Sequence, residues 1–136
     1  MKASLHHIQI HIEFTNITFY QDLMKFLGWN VIYQDNSIAG FRDENNKDVW
    51  FSEKKVDVEN NYDGIGMNHL AFKVGSQAEV DKTVEYLKEK KVTPLFKTPR
   101  RRPEFAENKE DTYYQIMFES PDKILLEVFY LGKKSL

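Results

Sequence analysis

The chain writes one pattern twice, and that repeat limits the fold more than any other feature. Residues 5–12 read Leu-His-His-Ile-Gln-Ile-His-Ile, with Ile8, Ile10 and Ile12 alternating against His7, Gln9 and His11. Period two is the signature of a strand with one buried face. A helical stripe of Phe19, Leu23, Phe26 and Leu27 follows over about Thr15–Leu27, and Gly28 supplies a C-terminal stop. Three short strand candidates come next, at Asn30–Gln34, Ser37–Phe41 and Asp48–Ser52. The pattern then restarts 62 positions after His7. His69–Val74 alternates, and Ser76-Gln-Ala-Glu79 has capping-box spacing. Val80, Val84 and Leu87 form a helical stripe to about Lys91, and strand candidates follow at Thr93–Thr98, Tyr113–Glu119 and Ile124–Tyr130. The expectation is one α+β domain of two strand–helix–three-strand modules, about 4–56 and 67–132, joined by a polar linker at about 57–66. Their sheets should curl around an open cleft.

Composition narrows the chemistry. The 136 residues carry 19 basic and 21 acidic side chains in a mixed arrangement, net −2. No basic surface for nucleic acid or an anionic membrane is expected from that balance. No cysteine is present, so disulfides and thiolate zinc sites are excluded. No run approaches the roughly 18 apolar residues of a membrane span, and the first residues lack the apolar core of a signal peptide. A cytoplasmic protein acting on a small molecule is the expectation.

Parity then selects candidate residues. If the isoleucines of the first strand pack under the first helix, His7 points to the open face of its sheet. The same argument turns His69 to the open face of the second module, since Leu70, Phe72 and Val74 pack inward. In the last strand Ile124, Leu126 and Val128 face the helix, leaving Leu125, Glu127 and Phe129 on the open side. A carboxylate in so apolar a strand is costly unless it is paired or metal-bound. Two imidazoles and one carboxylate suit a divalent ion that keeps positions open for a substrate.

These residues carry a resemblance. His7 in Leu-His-His-Ile-Gln-Ile, His69 in Gly-Met-Asn-His-Leu-Ala-Phe and Glu127 in Phe-Glu-Ser-Pro-Asp-Lys-Ile-Leu-Leu-Glu-Val stand in the order and spacing of the vicinal oxygen chelate superfamily. That superfamily includes glyoxalase I, the bleomycin and fosfomycin resistance proteins and the extradiol dioxygenases. The resemblance spans about residues 4–131 and implies metal ligands at His7, His69 and Glu127, with a divalent Fe, Mn, Ni, Co or Zn ion. It also implies a homodimer. Glyoxalase I has a further carboxylate ligand at the end of its first half. Here Trp50 or Phe51 stands at that place, with Glu53 as an outside candidate for a fourth ligand. Lys123 stands where the family's turn carries Gly.

A site of this kind would bind a substrate with two adjacent oxygens and stabilise a developing oxyanion. The leading expectation is a metal-dependent lyase or isomerase. The alternatives are an Fe(II)-dependent ring-cleaving dioxygenase and a metal-free protein that sequesters a drug or metabolite. Glu127, His11 and Tyr114 are the candidate catalytic residues, since one of Tyr113 and Tyr114 must face the site and the other the core. Gln9 and Lys73 share the open faces. The non-periodic segment Pro99–Thr112 contains Arg100-Arg-Arg102, which could clamp an anionic part of the substrate or form a solvated charge run.

Overall fold

Alternation at residues 7–12 yields a strand, and the apolar stripe after it a helix that covers one face of a sheet. In the computed structural model, which describes residues 1–134, this happens twice, in two units divided between Glu59 and Asn60. The first unit runs β1 (His7–Ile12), a 3-10 turn (Phe14–Asn16), α1 (Ile17–Phe26), β2 (Asn30–Gln34), β3 (Ile38–Arg42) and β4 (Asp48–Glu53). Its sheet has the order β1-β4-β3-β2, with β1 and β4 parallel and the other pairs antiparallel.

The buried face follows the predicted parity. Ile10, Ile12, Ala39, Phe41, Val49 and Phe51 are buried, as are Tyr20, Leu23 and Met24 of α1. Tyr20 and Phe51 lie 4.4 Å apart between ring centroids. Each such fully buried aromatic contributes roughly 2–3 kcal/mol of hydrophobic stabilisation. The helix stops at Gly28, whose φ of +85° lets the Trp29 amide turn back to the Met24 carbonyl at 2.9 Å.

The second unit runs β5 (Leu70–Lys73), α2 (Gln77–Glu89), β6 (Arg100–Arg101), a 3-10 turn (Pro103–Phe105), β7 (Asp111–Glu119) and β8 (Leu125–Lys133). Its strand order, β5-β8-β7-β6, repeats that of the first, again with the outer pair β5 and β8 parallel. Phe72, Ile116, Phe118, Leu126 and Val128 are buried, as are Val80 and Leu87 of α2. The predicted cap is present: Ser76 Oγ accepts from the Glu79 amide at 3.2 Å, and Glu79 Oε2 accepts from the Gly75 amide at 2.7 Å. The α+β class and the strand–helix–three-strand order therefore hold in both units.

One predicted strand does not form. Thr93–Thr98 is irregular, with Phe96 and Lys97 both at positive φ, and the third partner of that sheet is the two-residue β6. Alternation of apolar residues could not reveal left-handed backbone at positions that are not glycine. Lys123 in the last turn is also left-handed, at φ +58°, which explains why glycine would suit that position.

Candidate active site

The register of the second sheet builds a polar cluster around Glu127. Parallel pairing sets Ala71 beside Glu127, which brings His69, two residues earlier on the same face, toward the carboxylate. Antiparallel pairing sets Met117 opposite Glu127, so Tyr113 and Gln115 share that face. Glu127 is 2% exposed, a carboxylate that must find its partners within the protein. It finds three. Tyr113 donates its hydroxyl to Oε2 at 2.9 Å, Gln115 Nε2 donates to the same oxygen, and His69 Nε2 lies 3.2 Å from Oε1.

Each partner is held in turn. Asn68 Nδ2 donates to the Tyr62 carbonyl at 3.0 Å, which turns Asn68 Oδ1 toward His69 Nδ1 at 2.7 Å. That acceptor places a proton on Nδ1. Nε2 is then left to present either a lone pair to a cation or a second proton to Glu127. Gln115 is buried, and its Oε1 accepts from Arg102 Nη1 at 3.2 Å. The Arg102 Nε donates to Glu104 Oε1 at 2.5 Å, and its guanidinium lies over the Phe105 ring at 4.5 Å. Tyr113 stacks on Phe129 at 4.7 Å. Burial, and then the Glu127 charge, raise the Tyr113 pKa above its ordinary value. The phenol stays protonated near neutral pH and acts as a donor there. A cavity of about 800 Å³ opens over this cluster, with Phe96, Phe105, Met117 and Leu125 on its apolar side.

Several sequence expectations change. Tyr114 does not take part: its hydroxyl donates to Asp81 of α2 at 2.7 Å, and Arg101 covers its ring at 5.0 Å. The tyrosine at the carboxylate is Tyr113. Glu53 is not turned toward an open face. It shares the parity of the buried Phe51, and its Oε2 accepts from the Phe14 amide at 2.8 Å at the start of the 3-10 turn. Within the first unit, His7 and His11 are exposed on the face of β1 away from α1, as parity requires. His7 Nδ1 lies 3.0 Å from His6 Nδ1, and Gln9 between the two histidines donates to Ser52 Oγ at 2.9 Å. Among the described residues, no group of three or more His, Asp or Glu is gathered as a metal-ligand cluster. What the structure brings together is the pair His69 and Glu127.

Gln115 as a partner of Glu127, Asn68 as a partner of His69 and Arg102 as a partner of Gln115 were not singled out from the sequence. Gln115 and Tyr113 had a readable signal. A turn at Ser120–Lys123 folds residues 111–119 back on the last strand so that odd positions face odd ones.

No family model matches the sequence. A curated relative, the uncharacterised protein YqjT of Bacillus subtilis, is 28% identical over 128 residues, covering 91% of this chain and 96% of that protein. Solved structures match far more broadly in shape than in sequence. A candidate glyoxalase from Bacillus halodurans superposes with a TM-score of 0.79 at 22% identity, covering 95% of this chain and 96% of that one. The chain has the vicinal oxygen chelate fold. The fosfomycin resistance protein FosX of Listeria monocytogenes, solved with Mn(II) and sulfate, shares this fold at a TM-score of 0.68 and 23% identity over 96% of this chain and 91% of its own. Lactoylglutathione lyase from Agrobacterium tumefaciens shares it at 0.67 and 14% identity, over 96% and 95%. Within this fold, the cluster around Glu127 lies beneath the cavity of the second unit.

Proposed function

We propose that this protein is a metal-dependent enzyme of glyoxalase type, acting on a small substrate with two adjacent oxygens by lyase or isomerase chemistry. One observation carries the reading: a buried carboxylate, Glu127, beside an imidazole whose Nδ1 is already committed to Asn68, so that Nε2 is available on the cavity side. His69 and Glu127 would hold the ion. Imidazole and carboxylate donors of this kind suit Fe(II), Mn, Ni, Co or Zn. When bound, such an ion supplies Lewis acidity to the substrate oxygens. FosX with its Mn(II), and the lyase, are relatives in fold whose chemistry supports the proposal.

The protein's own groups have separate tasks in this reading. Asn68 fixes the orientation of His69, and Gln115, itself held by Arg102, fixes Glu127. The Tyr113 hydroxyl, kept protonated, donates its one hydrogen to Glu127 and so helps to fix the carboxylate. Phe105, Met117 and Leu125 limit water around the reacting atoms. His11 is proposed as a rim group and the assembly as a homodimer. The exposed edge strand β2, with Val31, Ile32 and Tyr33 in solvent, is a surface on which to test pairing.

Elemental analysis of the untagged protein tests the proposal. Stoichiometric metal in the parent and its loss in His69→Ala and Glu127→Gln are expected, together with a rise in melting temperature on adding Mn, Ni, Zn or Fe(II) to the parent. A metal-free parent with no such rise would sink it. A second reading, a metal-free binding protein, draws support from a specific fact: among the described residues, every buried side-chain polar atom already has a partner. The same measurement separates the two.

A further inference from the structure

The segment expected as a strand, Thr93–Thr98, is instead a bracket on β7. The Leu95 amide donates to the Met117 carbonyl at 2.8 Å. Buried Thr98 donates its hydroxyl to the Leu95 carbonyl at 2.7 Å and accepts from the Met117 amide at 2.9 Å. Between these two anchors Phe96 and Lys97 have φ of +56° and +59°. Two consecutive non-glycine residues in the left-handed region hold an unfavourable conformation, and the bracket is what maintains it. Its result is that both side chains line the cavity over Glu127.

Those two side chains differ from their surroundings. Phe96 is 51% exposed and, with Phe105 at 49%, offers aromatic surface to the cavity. Lys97 is exposed and has no ion pair or hydrogen-bond partner among the described residues. The guanidinium of Arg102 is, by contrast, taken up by Glu104 and Gln115. Arg100 adds a further exposed cation to the same wall. An unpaired ammonium beside exposed aromatic rings is suited to a ligand that is anionic at one end and apolar at the other.

We propose that Phe96 and Lys97 form the recognition element for an amphiphilic anion, a carboxylate, phosphate or phosphonate borne on an aromatic or apolar body. Lys97 pairs with the charge and Phe96 covers the body. The inference deepens the function proposed above by naming the substrate class, but anion binding itself requires no metal.

Phenylphosphonate, titrated calorimetrically into metal-free protein and into protein equilibrated with Mn(II), is the test. The parent should bind it in both forms. Lys97→Gln should weaken binding about tenfold, the loss of one charge-assisted contact, while Lys97→Arg retains it and Lys109→Gln, away from the cavity, leaves it unchanged. Phe96→Ala should weaken phenylphosphonate and leave inorganic phosphate unaffected. No binding by the parent, equal binding by Lys97→Gln, or equally tight binding of neutral benzyl alcohol would each overturn the proposal. Failure of the metal reading alone would show as absent Mn(II) uptake with anion binding intact.

Discussion

At equivalent places in two sheets of identical strand order, one unit carries Trp50 and the other Glu127. In the first, parallel pairing sets Gln9 beside Trp50, and β3 sets Gly40 across from it. In the second, Ala71 lies beside Glu127 and Met117 across. The difference lies in the neighbours. Trp50 needs space, and Gly40 provides it: a Cβ at position 40 would stand 2.6 Å from the indole ring. Glu127 needs polar partners, and Tyr113, Gln115 and His69 provide them. One strand order can therefore support a large packing residue or a buried, hydrogen-bonded acid, and the residues on the adjoining strands decide which.

Removing the acid should break this contrast most severely. Glu127→Leu leaves the Tyr113 hydroxyl and the Gln115 amide without their acceptor, and a loss of about 3–5 kcal/mol is expected in urea unfolding. A loss under about 1 kcal/mol would mean that the cluster is not satisfied as described. On the other side of the comparison, Gly40→Ala should cost about 2 kcal/mol by overpacking against Trp50. A double-mutant cycle sharpens it: in a Trp50→Ala background most of the Gly40→Ala cost should vanish. Gln115→Leu should cost about 1–3 kcal/mol, because Arg102 and Glu127 each lose a partner, and should weaken metal uptake at least tenfold if Glu127 is a ligand.

The smallest effect separates the two tyrosines. Burial, then the hydrogen bond to Asp81, push the Tyr114 pKa up to about 12. The folded value lies above the unfolded value of about 10, so the folded state favours the protonated phenol. That stabilisation is fully present below pH 10 and is lost as pH rises from about 10 to 12. Thermal melts of Tyr114→Phe should therefore fall less steeply over that range than those of the parent. Unchanged steepness would remove Tyr114 as a contributor.

Much of this was legible in the residues, for reasons of parity. Isoleucine alternation fixed the buried face of β1, and an acid amid Leu125, Leu126, Val128 and Phe129 marks Glu127 as unusual in the sequence itself. What escaped was pairing rather than pattern. Choosing between Tyr113 and Tyr114 requires the register of the last hairpin, because neighbouring residues on a strand face opposite ways. Glu53 needed knowledge that its carboxylate meets the Phe14 amide. The bracket at residues 95–98 could not be read, since its left-handed residues are a phenylalanine and a lysine.

The parallel contact of β5 with β8 has a consequence of its own. His69 and Glu127 are neighbours in space, yet an entire helix and two further strands separate them along the chain. Such distant segments join only after the intervening polypeptide has closed its loop, the slow step for sheets of this topology. If the pair holds an ion as proposed, ion uptake would report arrival of the final strand, and a chain halted before β8 would have its imidazole in place and no carboxylate beside it.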